Sequence, residues 1–196
     1  MSTRSRTAVG ALALGLALAG CTSGATAEPG GTAASPSPDP LAALESCPEQ
    51  PDRPAEGAET LPALDLTCPG GGSLDLARAP GVPTVVNLWA SWCGPCREEL
   101  PLVQDLADAA GDQLSVVGVV SKDGAPQAAS FAADAGATFP SALDGDGELM
   151  AELGLNGLPY TYLLDAGGGI AYVQVGPVAD LAELEALVAE HLEVTL

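Results

Sequence analysis

Positive charge is what this chain has least of. Its 196 residues carry 6 lysines and arginines against 26 aspartates and glutamates, a formal net charge of −20. Phosphate recognition needs clustered Lys and Arg, so nucleic acid is excluded as a partner. The same deficit disfavours a flat seat on anionic lipid. Histidine is limited to His191 and aromatics to 4% of residues. Hydrophobic residues nevertheless reach 47%, a globular composition. No internal repeat is present, and nothing beyond the N-terminus approaches the apolar length of a membrane span, about 20 residues.

The N-terminus differs from the rest. Arg4 and Arg6 precede an almost unbroken apolar run, Ala8 to Ala19. That run is too short to span a bilayer and has the layout of a secretory signal. "LAGC", Leu18 to Cys21, resembles a bacterial lipobox. The resemblance implies cleavage before Cys21 and lipid attachment to its sulfur, giving an anchored rather than integral protein on the outer face of the cell membrane. An ordinary signal with a small-residue cleavage site is the plainer alternative. Without Arg4 and Arg6, four cations face 26 carboxylates, a formal −22. The plain reading of that acidity is a solvated surface. Thr22 to about Pro40 is rich in Gly, Ala, Ser, Thr and Pro and reads as a flexible tether. The expected organisation is a signal over 1–20, a tether over 21–46 and one folded domain over 47–196. Export implies an oxidising compartment, where disulfides persist.

Within the domain, "LPALDLTC" (Leu61 to Cys68) and "GGSLDL" (Gly71 to Leu76) read as an N-terminal β-hairpin. "TVVNLWA" (Thr84 to Ala90) is apolar nearly throughout and reads as a central strand. Helical spacing follows from Cys96 to about Ala109. Gln113 to Val120 reads as a buried strand, Ala125 to Ala135 as a helix, and Glu148 to Leu153 as a short helix after "FPSALD". Tyr160 to Asp165, three glycines and Ile170 to Val175 make a second hairpin. On the closing helix, Ala179 to Glu193, Leu181, Leu184, Leu187 and Val188 share a face. The short helix aside, the order is β-β-β-α-β-α-β-β-α. That order predicts an α/β fold with a central mixed sheet covered on both faces.

Five cysteines are present: Cys21, Cys47, Cys68, Cys93 and Cys96. The last two form a CxxC between a strand and a helix. A structural zinc site wants four Cys or His ligands. One CxxC, a lone His191 and the badly spaced Cys47 and Cys68 do not supply them. Haem attachment needs CxxCH, and residue 97 is arginine. A purely structural Cys93–Cys96 bridge closes too small a ring to add much loop entropy. Redox exchange suits the context best. At a helix N-terminus, unpaired N–H groups and the helix dipole stabilise a thiolate, which is the attacking species. Cys93 is then the nucleophile. Cys96, one turn further in, is placed to resolve the mixed disulfide. Gly94 and Pro95 suit a first helical turn.

"WASWCGPC" is similar to the thioredoxin active site, and "VVNLWASWCGPCREELP" looks more closely like the TlpA/ResA-like branch of extracytoplasmic thiol–disulfide oxidoreductases. The likeness covers about Leu61 to Leu192 and implies a thioredoxin-like fold. Pro101 matches the proline that kinks the active-site helix. "GLPYTYLLD" (Gly157 to Asp165) resembles the stretch carrying the cis-proline, which makes Pro159 cis and places it facing the CxxC. The resemblance further implies that the Leu158 backbone pairs with substrate as an added strand. Trp92 borders that surface, whereas Trp89 is assigned to the core.

Thioredoxins place a buried Asp on the strand before the CxxC; here it is Asn87. The TlpA/ResA-like branch also has Asn there, with a Glu three residues after the second cysteine, here Glu99. The resemblance implies proton transfer between Glu99 and Cys96; the plainer reading is a solvated glutamate like Glu98. Cys47 and Cys68 read best as a structural disulfide, with a relaying redox pair as the sharper alternative. "DGDGE" (Asp144 to Glu148) lacks the twelve-residue calcium pattern and reads as a turn and helix start. The expected activity is protein dithiol–disulfide exchange, with no metal or organic cofactor. Its partners are exported proteins bearing cysteines, apocytochrome c among them, and a membrane thiol donor or acceptor. The resemblance favours a reductase. A disulfide-forming oxidase and a redox-inactive binding lipoprotein remain as alternatives.

Overall fold

A computed structural model of the chain describes residues 44–196, all within one compact unit. The signal, Cys21 and most of the tether lie outside the described residues. The observed order is β1 (Asp65–Thr67), β2 (Ser73–Asp75), β3 (Thr84–Trp89), α1 (Gly94–Ala110), β4 (Ser115–Ser121), α2 (Ala125–Ala135), β5 (Ser141–Asp144), α3 (Glu148–Glu152), β6 (Tyr160–Leu164), β7 (Ile170–Val175) and α4 (Leu181–Leu192). Among the described residues no helix is long and apolar enough to cross a membrane.

Five strands form one sheet in the order β5-β4-β3-β6-β7. β3, β4 and β5 run parallel, while β6 and β7 are antiparallel to their neighbours. β3 lies at the centre and is buried at all six positions, which is why its sequence is apolar without alternation. β1 and β2 make a separate hairpin. β5 is absent from the sequence reading. "SALD" is four residues long, carries no strongly β-forming run, and lies between Pro140 and Gly145. It becomes a strand because β4 offers it a ladder.

Each face of the sheet carries its own core. One gathers Val85, Trp89, Val116 and Val120 with Leu100, Val103 and Leu106 of α1, Phe131 of α2 and Leu184 and Val188 of α4. The other gathers Val86, Leu88, Val117 and Val119 with Leu149 of α3 and Leu66 and Leu74 of the hairpin. Successive strand residues point to opposite faces, so adjacent valines serve different cores. Trp89 meets Phe131 edge-on at 5.9 Å. Gly118 of β4 gives its indole room, since a Cβ there would lie 2.6 Å from the Trp89 ring nitrogen.

Leu44, the first described residue, is buried, and the Glu45 amide donates to the Thr138 carbonyl at 2.7 Å. Thr138 precedes β5, so this strap of chain lies at the N-terminal ends of the parallel strands. Cys47 and Cys68 are joined as a disulfide that ties this strap to β1. The strap continues along the β6–β7 turn, where Glu56 donates to Gly167 and Ile170 donates to Glu59. Replacing Cys47 and Cys68 together by alanine frees a loop of 21 residues' separation. Urea unfolding under oxidising conditions is expected to show a loss of about 3 kcal/mol. An unchanged midpoint and slope would mean that the other contacts hold the strap unaided.

Candidate active site

The end of β3 delivers the chain directly into the first turn of α1. Cys93 is the N-cap, with extended backbone, and its sulfur accepts the Cys96 amide at 3.2 Å. Pro95 stands in the first turn, where a missing N–H leaves nothing unsatisfied. α1 continues through Pro101, whose ring removes the hydrogen bond to the Arg97 carbonyl. Cys93 and Cys96 are joined as a disulfide, with Cα atoms 5.3 Å apart. Both sulfur-bearing residues are nearly covered, Cys93 at 4% and Cys96 at 1% exposure. Around them Trp92, Gly94 and Pro95 are exposed.

Ser91 is clamped on both sides of its backbone. Its amide donates to Asp123 Oδ2 at 2.6 Å, and its carbonyl accepts from Arg97 Nη1 at 3.2 Å. The Arg97 guanidinium lies 4.3 Å from the centre of the Phe131 ring. The Trp92 indole donates to the Lys122 carbonyl at 2.8 Å, so its exposed ring is fixed rather than free to swing. Beside this edge runs a shallow groove of about 410 Å³, lined in part by Ser91, Arg97, Gln127 and Phe131.

β6 brings the second predicted segment to the same end of the sheet. The Leu158–Pro159 peptide is cis. Leu88 pairs with Tyr160 in the β3–β6 ladder, which sets Pro159 and Leu158 beside the end of β3, just before the CxxC. Leu158 packs against the core that includes both sulfurs. The Pro159 carbonyl accepts from the Gly176 amide at 3.1 Å.

Beneath the cysteines lies a carboxyl group. Glu98 is exposed, but Glu99 is buried at 1% exposure. Glu99 Oε2 accepts from Asn87 Nδ2 at 3.0 Å, and Oε1 accepts from the Val178 amide at 3.1 Å. Burial pushes the Glu99 carboxyl above the ordinary carboxylate range; the bonds from Val178 and Asn87 pull it part of the way back. The Asn87 amide also donates to Thr161 Oγ1 at 2.9 Å. Cys96 and Glu99 are three residues apart on α1 and so occupy neighbouring faces of one turn.

The structure thus brings Trp92, Cys93, Gly94, Pro95, Cys96, Glu99, Leu158 and Pro159 to one end of the sheet. It sets Cys47 and Cys68 apart, in the core on the other face. Thr161 and the Val178 amide are absent from the sequence reading. A backbone amide has no side-chain signature, and Thr161 reaches Asn87 only through the β3–β6 register. Asp144 of "DGDGE" accepts from Ser121 and from the Glu148 amide, a turn and helix start.

The redoxin family matches residues 55–188. The thiol:disulfide interchange protein CycY of Rhizobium leguminosarum bv. viciae is 35% identical over 136 residues, 68% of this chain and 70% of that protein. A solved structure described as a putative thiol:disulfide interchange protein DsbE from Chlorobium tepidum superposes with a TM-score of 0.59 at 28% identity, covering 68% of this chain and 93% of that one. StoA from Bacillus subtilis superposes with a TM-score of 0.54 at 30% identity, covering 63% and 96%. The match spans both halves of the site just described, the CxxC at the start of α1 and the cis-proline at the start of β6. The chain therefore belongs to the redoxin family, as a thiol–disulfide oxidoreductase with a thioredoxin-like fold.

Proposed function

We propose that the chain is an exported, lipid-anchored protein-disulfide reductase of the TlpA/ResA-like kind. The lipobox resemblance at Cys21 supports the anchor. Cysteine-bearing exported proteins are its substrates, apocytochrome c among them. A membrane thiol donor returns the electrons. The redox pair does the chemistry without a metal or organic cofactor.

The step balances on the two sulfurs. The Cys93 thiolate attacks a substrate disulfide, and one substrate sulfur leaves as a thiolate that takes a proton from solvent. Cys96 gives its proton to Glu99, and its thiolate attacks Cys93 Sγ. The second substrate sulfur leaves as a thiolate, the Glu99 proton is released to it, and Cys93–Cys96 is left oxidised. Two electrons have passed to the substrate. Leu158 and Pro159 offer a strand edge to the substrate backbone, so recognition follows the main chain more than any one side chain. Trp92, Gly94 and Pro95 form the facing wall.

The observation that carries the reductase reading is the buried Glu99 one turn from Cys96. A strong oxidant is one whose reduced, thiolate form is stabilised. A buried carboxylate opposes a nearby thiolate, which disfavours that form. The oxidase reading draws on a different bond, the Cys96 amide donated to Cys93 Sγ, which favours a thiolate at Cys93.

Equilibration with glutathione decides between them. A Cys93/Cys96 potential near about −270 mV is expected, and one near about −120 mV would establish an oxidant. Glu99→Gln is expected to remove one inflection from the pH profile of Cys96 alkylation and to slow insulin reduction on the order of 10²-fold. A profile matching wild type would sink the proton-transfer role. Cys96→Ser stalls the mixed disulfide, so substrates should accumulate as adducts at Cys93 that dithiothreitol releases.

A further inference from the structure

Among the described residues buried polar side chains are few, and three of them form one hydrogen-bonded group: Asn87, Glu99 and Thr161. Asn87 and Thr161 are directly opposed in the β3–β6 ladder. The Asn87 amide gives both its protons away on one side, to Glu99 and to Thr161. Its oxygen has no hydrogen-bond partner among the described residues. The acceptors, not the oxygen, therefore fix which way the amide faces.

Glu99 alone does not fix it. An ionised Glu99 accepts an N–H, but a neutral one also carries a proton that an amide oxygen would accept. The Thr161 hydroxyl accepts the second Asn87 N–H, so turning the amide over would break that bond. Valine has the same shape and accepts nothing. Thr161 also stands two residues beyond Pro159 on the same strand. The network therefore begins beside the segment that frames the substrate groove.

We propose that Thr161 is a positioning residue for thiol–disulfide exchange, holding the Asn87 amide toward Glu99 and so setting how readily Glu99 takes and releases its proton. The inference rests on the reading of Glu99 as the proton acceptor for Cys96. The groups facing Glu99 are Asn87 from β3, Thr161 behind it from β6, the Val178 amide between β7 and α4, and the cysteine pair of its own helix. Among the described residues no charged side chain is ion-paired with it.

The test follows alkylation of the reduced protein against pH for wild type, Thr161→Val, Thr161→Ser and Glu99→Gln. The inflection lost in Glu99→Gln belongs to Glu99. Without the Thr161 hydroxyl the amide is free to turn its oxygen to neutral Glu99, which favours the protonated acid. Thr161→Val should therefore move that inflection up by about one pH unit, the equivalent of one hydrogen bond. Thr161→Ser should restore it. If Glu99→Gln removes the inflection while Thr161→Val leaves it in place, Thr161 only packs, and the reading of Glu99 survives. If Glu99→Gln changes nothing, that reading fails and takes this one with it. Should Thr161→Val not fold, Thr161→Ala is read in its place: the same upward move of the inflection supports the proposal, and an unmoved inflection overturns it.

Discussion

A carboxyl group sits inside an apolar core, held by one side-chain amide and one backbone amide. Everything around the redox pair is arranged about that fact. A buried, unpartnered carboxylate costs several kcal/mol. Glu99 avoids that cost only because β3 supplies Asn87 and the β7–α4 connection supplies the Val178 amide. These partners come from distant parts of the chain, so the site requires the finished fold. The CxxC itself is local, made by one strand end and one helix start. The setting of the buried carboxyl is not local.

The same arrangement ties the Leu158–Pro159 segment to the buried carboxyl. Pro159 holds Gly176 through its carbonyl, and Val178, just beyond, holds Glu99. On the other side Thr161 reaches Glu99 through Asn87. Two short routes thus run from the strand edge to the carboxyl. Trp92 and Ser91 have a separate support in Lys122, Asp123 and Arg97. The exposed indole beside the CxxC and the buried carboxyl of α1 are braced by different elements.

Much of this was readable before any coordinates. The apolar run of β3, the 3.6-residue spacing of α4 and the CxxC between strand and helix are local signals, and each became the expected element. β5 was not readable, because four residues between a proline and a glycine carry no period of their own. The buried state of Glu99 was open for a similar reason. Glu98 and Glu99 are chemically alike, and only the packing of α1 on the sheet separates them. Thr161 and Val178 stayed hidden because register and backbone amides leave no mark on composition.

The first described residues lie beside Thr138, at the end of the sheet where the parallel strands begin. The sulfurs lie at the end where those strands finish. Six residues of β3 separate the two poles, about 20 Å at strand rise. The Cys47–Cys68 staple and the hairpin therefore sit at the far pole from the redox pair. The two disulfides stand at opposite ends and on opposite faces of one sheet, so thiol–disulfide exchange at the redox pair has no short path to the staple.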